Sequence, residues 1–591
     1  MSIVVQKFGG TSVADSTKIL AAARKAIRAQ QQGNQVVMVV SAMGKNTDML
    51  VSLAGEINER PPAREMDMLL STGEQVSVAL MAMAIDSLGH KAVSLTGAQI
   101  GIRTDSTHTK ARIRSISTDR MRRLLDEGQI VIAAGFQGID EESNITTLGR
   151  GGSDTTAVAL AAVLRASCEI YTDVDGIYTT DPRIVPEARR AHEISYDEML
   201  ELASLGAGVM HSRSIEFAKK FGVSIHVRSS LTDTTGTWIT NSSPSADQPV
   251  SGAAVTKDEA RITVLGVPDV PGSSNEIFSR IAEKRITVDM VVQNVSELDT
   301  CDISFTVPSA ELAVTLEAVA EAAEAVNAEG VTHDENVSKI SVVGKGMAEQ
   351  AGVANQMFRA LADAKINIQM ITTSEIKISV LVARDESQQA LRACHQAFQL
   401  HVEPEDSAAQ SLNGDADVDA DEIVARLRGD DMEELLIEDI TLDETQARVT
   451  VSGVPDTPGV AARVFDEVAD AGIFVDMIVQ SYPGTGDKAS LTFTVAREHL
   501  AESESVAKRL AKEFACRGVS SSPAVAKLSV SGIGLRSHTS VGTRMFRSLS
   551  ATGINIEMIN TSEVQVNVVV DGSQGQQALD VLKDAFADVL R

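Results

Sequence analysis

Two stretches of the chain combine residue types suited to holding anions. Leu148-Gly149-Arg150-Gly151-Gly152-Ser153-Asp154-Thr155-Thr156 wedges two glycines between an arginine and a Ser-Asp-Thr cluster, and an apolar run from Ala157 to Leu164 follows at once. Ser153, Asp154 and Thr155 are good N-cap residues, so the pattern predicts a helix starting here. Gly151 and Gly152 let the backbone approach a ligand at the positive end of that helix. Arg150 adds a planar fork that matches a carboxylate or a phosphate. The second stretch is Lys7-Phe8-Gly9-Gly10-Thr11-Ser12, where a mobile cation sits beside unobstructed N–H donors. Either stretch alone is equally readable as a glycine turn next to a helix or strand.

The surrounding elements favour the first reading. Ile3-Val4-Val5, Val36 to Val40, Ile130 to Ala134 and Cys168 to Tyr171 are short, nearly continuous apolar runs. A helical run from about Thr17 to Ala29 follows the first, and this alternation predicts an α/β domain with a mostly parallel sheet. The runs break into Lys7-Phe8-Gly9-Gly10, Ser41-Ala42-Met43-Gly44, Gly135-Phe136-Gln137-Gly138 and Thr172-Asp173-Val174-Asp175-Gly176. Ligands bind at the carboxyl edge of such sheets, so four polar loops on one edge indicate an anion-binding enzyme domain. The sequence has no GxxxxGK[ST] loop and no HRD or DFG set, which sets aside P-loop enzymes and protein kinases.

Composition narrows the class further. At 591 residues the chain exceeds a single core, and its 43% hydrophobic and 23% charged content is that of a globular protein. A net charge of -28 with 3% aromatic residues lacks the basic stripe and stacking platform of a nucleic-acid binder. The four cysteines are far apart, with neither CxxC pair nor zinc spacing. The start, Met1-Ser2-Ile3-Val4-Val5-Gln6-Lys7, has no signal-peptide pattern, and no apolar run approaches a membrane span. A cytoplasmic protein without nucleic-acid or membrane partners is expected.

Taken together, Lys7 to Val13, Ser41 to Gly44, Thr72-Gly73-Glu74, Gly149 to Thr155 and Thr172 to Arg183 resemble the signature blocks of aspartokinases, in that family's order. The resemblance implies an amino-acid-kinase αβα sandwich over residues 1–241 that moves the γ-phosphoryl group of ATP, carried with Mg2+, onto the β-carboxylate of L-aspartate. This would be the first step of lysine, threonine and methionine biosynthesis. A carboxylate of ordinary pKa ~3.9 is already ionised, so such a reaction needs charge neutralisation and positioning rather than a general base. By the family pattern Lys7 contacts the transferring group and Asp154 orients Lys7. Phe8, Gly9 and Gly10 line the phosphate site. Ser41, Thr47, Gly151, Gly152 and Ser153 face the substrate. Glu74 pairs with the aspartate α-ammonium and Arg150 with its α-carboxylate. Thr172, Asp173, Tyr178 and Arg183 serve the nucleotide. No protein metal site is implied. Glu74 shares a helical segment with Glu65 and Asp67, so a solvated helix face explains it as well. Tyr178 is also readable as an interfacial core residue, and Arg183 as a surface charge. One departure stands out: the family's Gly-Ala-Lys-Val-Leu block reads Gly206-Ala207-Gly208-Val209-Met210. Either a nearby cation such as Arg213 replaces the missing lysine, or ATP binds more weakly.

The second part of the chain repeats itself. Val264 to Gly272 recurs as Val451 to Gly459, Asp289 to Gln293 as Asp476 to Gln480, and Ile366 to Glu375 as Ile554 to Glu563, at a shift of 187 to 188 residues. Each unit reads as a ferredoxin-like βαββαβ module. These modules resemble ACT domains, which pair and bind amino acids at the shared interface. The expected organisation is a linker at 242–258, modules at 259–336 and 337–400, an acidic linker at 401–440, and modules at 441–522 and 523–591. The resemblance makes Asp269, Gln293, Asn294, Asp456 and Gln480 candidate contacts to lysine or threonine as feedback effectors. Asp269 is also readable as a helix cap. A homodimer or larger assembly is implied, with pairing within or between chains left open. Two competing readings are an amino-acid sensor with an impaired kinase domain, and a superfamily kinase acting on another carboxylate.

Overall fold

The structure, a computed structural model, describes residues 2–206, 208–241, 248–295, 300–350, 352–403, 431–481, 488–535, 538 and 540–591. The acidic run Asp415 to Glu422 and Ala207 lie outside these residues, as do the side chain of Asn294 and most of the polar stretch after Asn241.

The first part contains strands β1 (Ile3–Phe8), β2 (Gln35–Val40), β3 (Ala92–Leu95), β4 (Ile102–Thr104), β5 (Ile113–Ile116), β6 (Ile130–Ala134), β7 (Gln137–Ile139), β8 (Ile145–Thr147), β9 (Ser167–Thr172), β10 (Glu193–Ser195), β11 (Ile225–Ser229) and β12 (Thr237–Thr240). Its helices are α1 (Ser16–Gln31), α2 (Asn46–Ile57), α3 (Ala63–Ser87), α4 (Gly97–Ile100), α5 (Asp119–Asp126), α6 (Gly152–Leu164), α7 (Tyr196–Ser204) and α8 (Ser212–Phe221). The main sheet runs β10-β12-β11-β9-β1-β2-β6-β3 and is parallel except between β11 and β12. A smaller sheet, β5-β4-β7-β8, flanks it.

The apolar strands are buried on both faces because alternate residues enter different cores. Val5, Val37, Val39, Val131 and Ala133 pack with α6 and α8. Val4, Phe8, Val36, Met38, Ile130 and Ile132 pack with α1 and α3. Helix α3 qualifies the expectation about membrane spans, since its 25 residues are long and apolar enough for one. It nevertheless buries Asp67 and Glu74 and packs on α1 and β3, as an interior helix of this domain does.

The second part contains β13 (Gly252–Pro268), β14 (Asp289–Val295), β15 (Thr300–Pro308), β16 (Gly330–Val343), β17 (Met370–Thr373), β18 (Lys377–Ala383), β19 (Leu436–Asp443), β20 (Gln446–Pro455), β21 (Val475–Ser481), β22 (Lys488–Ala496), β23 (Gly518–Ser522), β24 (Val525–Ile533), β25 (Met558–Thr561) and β26 (Gln565–Asp571). The modules are nested rather than strictly consecutive. The start of β13 (Gly252 to Thr256) pairs with Val343 to Lys339, so the second module takes its fourth strand from ahead of the first. In the same way β19 precedes the third module but pairs with β24 of the fourth. Residues 252–258 and 436–440, expected as linker, are therefore largely strand.

The modules pair as first with fourth and second with third. Phe278 meets Phe546 in one shared core, and Phe358 meets Phe465 in the other. An antiparallel contact between β17 and β21 carries the sheet across the second pair, giving ten strands in the order β14-β15-β13-β16-β18-β17-β21-β22-β20-β23.

Candidate active site

The carboxyl ends of β1, β2 and β6 meet the N-terminus of α6 around a cleft of about 1270 Å³. Lys7, Gly9, Gly10, Ser41, Thr47, Glu74, Arg150, Gly151, Gly152, Ser153 and Asp154 all line it, although they come from four separate stretches of sequence. Nζ of Lys7 stands 2.6 Å from Oδ1 of Asp154, with both side chains mostly buried. Such a pair fixes a flexible ammonium at one point of the cleft.

Two glycines are required for steric reasons. A Cβ on Gly10 would lie 2.7 Å from the Ala42 carbonyl oxygen. Gly151 has a φ of +70° and a Cβ there would strike His211 at 2.3 Å. Gly151 is also the N-cap of α6, without a side-chain cap. This corrects the expectation that Ser153, Asp154 or Thr155 caps the helix. They sit two to four residues further in, buried in its first turn, where Thr155 Oγ1 donates to the Gly151 carbonyl. The shift aims the positive end of α6 and the Asp154 carboxylate into the cleft together.

Glu74 is buried, which removes the solvated-face explanation. Its Oε1 accepts the Ala42 N–H at 3.1 Å, and its Oε2 has no hydrogen-bond partner among the described residues. Burial pushes this carboxyl up from 4.5 to about 7, against the pull of its backbone hydrogen bonds. Asp67, about two turns away on α3, has a different role. It is fully buried and accepts from the Thr109 N–H at 3.0 Å and from Thr147 Oγ1 at 2.5 Å, with His108 Nδ1 at 2.7 Å. It thereby holds the floor of the cleft, a role that its place near the start of α3 gives no sign of.

The residues expected on the nucleotide side are not gathered around this cleft in the same way. The Phe8 ring is in the core, stacked on Tyr171 at 4.7 Å, so only its backbone can face a phosphate. Thr172 ends β9 beside β1 and donates to Asp173 at 3.2 Å. Tyr178 donates to Asp175 at 2.9 Å. Arg183 is exposed and engages Asp181 at 2.8 Å. Thr172, Asp173, Tyr178 and Arg183 do not line the cleft that holds Lys7. Gly208 has open space: a Cβ there would meet nothing nearer than 3.8 Å. Arg213, the suggested substitute cation, is already engaged. It donates to the carbonyls of Leu148 at 2.5 Å and Ala111 at 2.6 Å and pairs with Glu433 at 2.7 Å.

The candidate effector residues lie at the two module interfaces. Asp269 Oδ1 accepts from Asn555 at 2.8 Å, and Gln293 Nε2 donates to the Ile556 carbonyl at 2.7 Å. The duplicate repeats this, with Asp456 accepting from Asn367 at 2.9 Å and Gln480 donating to the Ile368 carbonyl at 2.9 Å. Asp269 does not cap the helix after it, whose N-cap is Gly272. Asn555 and Asn367 went unassigned in the sequence, although they are the constant residues of the Ile-Asn-Ile repeat. Among the described residues no three His, Cys, Asp or Glu side chains converge to hold a metal ion.

Comparisons with known proteins agree with this architecture. The amino acid kinase family model matches residues 2–229, and the ACT domain model matches residues 262–323, 340–398, 449–514 and 528–586. The chain is 50% identical over 404 residues to the aspartokinase of Pseudomonas aeruginosa, a match covering 68% of this chain and 98% of that protein. It is 48% identical over 402 residues to the aspartokinase of a Bacillus species, again covering 68% of this chain and 98% of the relative. Among solved structures, aspartate kinase from Synechocystis matches at 39% identity and a TM-score of 0.52, covering 99% of this chain and 98% of that one. Escherichia coli aspartokinase III in complex with aspartate and ADP matches at 26% identity and a TM-score of 0.59, covering 67% of this chain and 99% of that one. With near-half identity across almost the whole length of such relatives, the chain belongs to the aspartokinase family and is a kinase.

Proposed function

We propose that this kinase transfers the γ-phosphoryl group of ATP to the β-carboxylate of L-aspartate in the cytoplasm, opening the route to lysine, threonine and methionine. The observation that carries the reading is one cleft with two chemically opposite ends. Lys7, the glycines and the start of α6 suit anionic oxygens. Glu74 offers a buried carboxylate oxygen without a partner among the described residues, and an α-ammonium would supply one. With Arg150 on the α-carboxylate, an amino acid is clamped at both charged groups, and its side-chain carboxylate is left facing the nucleotide.

In the reaction an oxygen of the β-carboxylate attacks the γ-phosphorus while the bond to the β,γ-bridging oxygen breaks, and ADP departs with that electron pair. No proton moves. Mg2+ enters with the nucleotide as part of the substrate. Lys7, fixed by Asp154, neutralises charge on the transferring group where it is greatest. ATP-dependent trapping of the acyl phosphate as a hydroxamate tests the acceptor. Aspartate should react and glutamate or acetylglutamate should not. A preference for either of the latter supports the other-acceptor reading, and no turnover with any of them supports the sensor.

The ACT modules are proposed to receive lysine, threonine or both as feedback inhibitors, at Asp269 and Gln293 in one pair and Asp456 and Gln480 in the other. Escherichia coli aspartokinase III has been solved with lysine and aspartate, which supports this assignment. Each effector acts by its differential affinity for two states of the enzyme. Loss of inhibition by one effector in Asp269→Ala, with the other retained, is expected. Unaltered inhibition by both would count against the sites. A homodimer or larger assembly completes the proposal.

A further inference from the structure

We infer that Glu433, supplied by the segment joining the two module pairs, is a positioning residue for the substrate loop of the kinase cleft, acting through Arg213. The inference rests on the aspartate-kinase reading for its kinetic consequence but not for its geometry. Arg213, in the first turn of helix α8, clamps two carbonyls, Leu148 at 2.5 Å and Ala111 at 2.6 Å. Leu148 immediately precedes Gly149-Arg150-Gly151-Gly152, and Ala111 belongs to the Thr109 to Arg112 wall of the same cleft. Two carbonyls do not neutralise a largely buried guanidinium. Glu433 does so: its Oε2 accepts from Arg213 Nε at 2.7 Å and its Oε1 from Nη2 at 2.8 Å. Oε1 also accepts the Ile113 N–H at 2.8 Å.

The segment is seated by more than this pair. Met432 is buried in the kinase core and its N–H donates to the Arg114 carbonyl at 3.1 Å. Lys220 donates to the Glu434 carbonyl at 2.7 Å, and the chain then runs into β19 of the fourth module. A carboxylate 220 residues away in sequence is thus held where it completes the arginine fork under the loop.

Removing the charge of Glu433 leaves Arg213 buried and uncompensated, which favours its release from Leu148 and loss of register at Arg150. Glu433→Gln should therefore raise KM for aspartate by about tenfold while leaving kcat within about threefold and KM for ATP unchanged, the pattern of a lost binding interaction. Glu433→Asp should recover part of the loss. Combining Glu433→Gln with Arg213→Lys should be less than additive, since both act through one fork. In the full chain without substrates, amide exchange at Gly149 to Gly152 should quicken in Glu433→Gln. Unchanged exchange there overturns the inference whatever the acceptor is. Quickened exchange in a protein that does not phosphorylate aspartate overturns only the substrate reading. If Glu433→Gln does not fold, Arg213→Lys is measured alone, and wild-type exchange at the loop then refutes the role.

Discussion

Glu201 of α7 and Lys377 of β18 form an ion pair of 2.8 Å with both side chains buried, joining the kinase domain to the second module. The same carboxylate accepts the Glu563 N–H at 3.0 Å from the fourth module, so one side chain ties the kinase to both module pairs. Burial opposes the charge on Lys377, but Glu201, Asp289 and Glu563 outweigh it and hold the ammonium above its usual range. Helix α7 leads directly to Gly206 and then, past Gly208, to His211 and Arg213 at the cleft. The chain that carries this pair thus continues to the residues His211 and Arg213 that line the cleft.

Lys377→Met should strand the Glu201 carboxylate in the interior and cost about 3–5 kcal/mol, the usual consequence of breaking a buried pair from one side. The denaturant midpoint should fall and the response to effectors should weaken. Glu201→Gln combined with Lys377→Met should recover part of the stability. Equal stability of wild type and Lys377→Met would contradict this role.

The proposed clamp at Glu74 predicts that aspartate binding depends on pH. Its carboxyl titrates at about 7 in the folded protein against an ordinary 4.5, so its contribution to stability is complete below 4.5 and lost as the pH rises through 7. In the proposed clamp, aspartate needs the ionised form opposite its ammonium. KM for aspartate should therefore rise up to about tenfold per pH unit below 7 and be flat above it. Glu74→Gln should abolish this dependence and bind weakly at every pH. A wild-type KM that stays constant from pH 5.5 to 8 would contradict the assignment.

Lys7→Ala should lower kcat by about 10²–10³-fold with a smaller change in KM for ATP, because in the proposed reaction its charge matters most as the phosphoryl group transfers. Steady-state kinetics separates the two effects, and a KM effect alone would place Lys7 outside the transition state.

Gly208→Lys should lower KM for ATP, since the position has room for a side chain and Arg213 is engaged elsewhere. An ATP titration of the variant checks this, and an unchanged KM would show that nothing is missing at Gly208.

The sequence made the catalytic half legible wherever short-range pattern was sufficient. Val36 to Val40 and Ile130 to Ala134 are apolar throughout because both faces of the sheet are covered, and their polar endings share an edge because parallel strands share a direction. The Asp-x-Pro-Gly and Ile-Asn-Ile repeats revealed four modules. Partner choice was not legible, because alternation identifies a strand and says nothing of its neighbour. Gly252 to Thr256 thus read as linker, although it pairs with β16. Asp67 read as a surface carboxylate because its partners, Thr109 and Thr147, are distant in sequence. Glu433 was one of several neighbouring acidic residues, with nothing local to point to Arg213.

Transfer to the side-chain carboxylate of aspartate is the step on which every proposed residue role depends. Phosphorus NMR of the enzyme incubated with MgATP and aspartate carrying a carbon-13 label at the side-chain carboxyl tests it most directly. A new acyl-phosphate resonance, split by coupling to that carbon, should appear as ADP accumulates. A phosphate unsplit by the label, or ADP formed without any acyl phosphate, would contradict it.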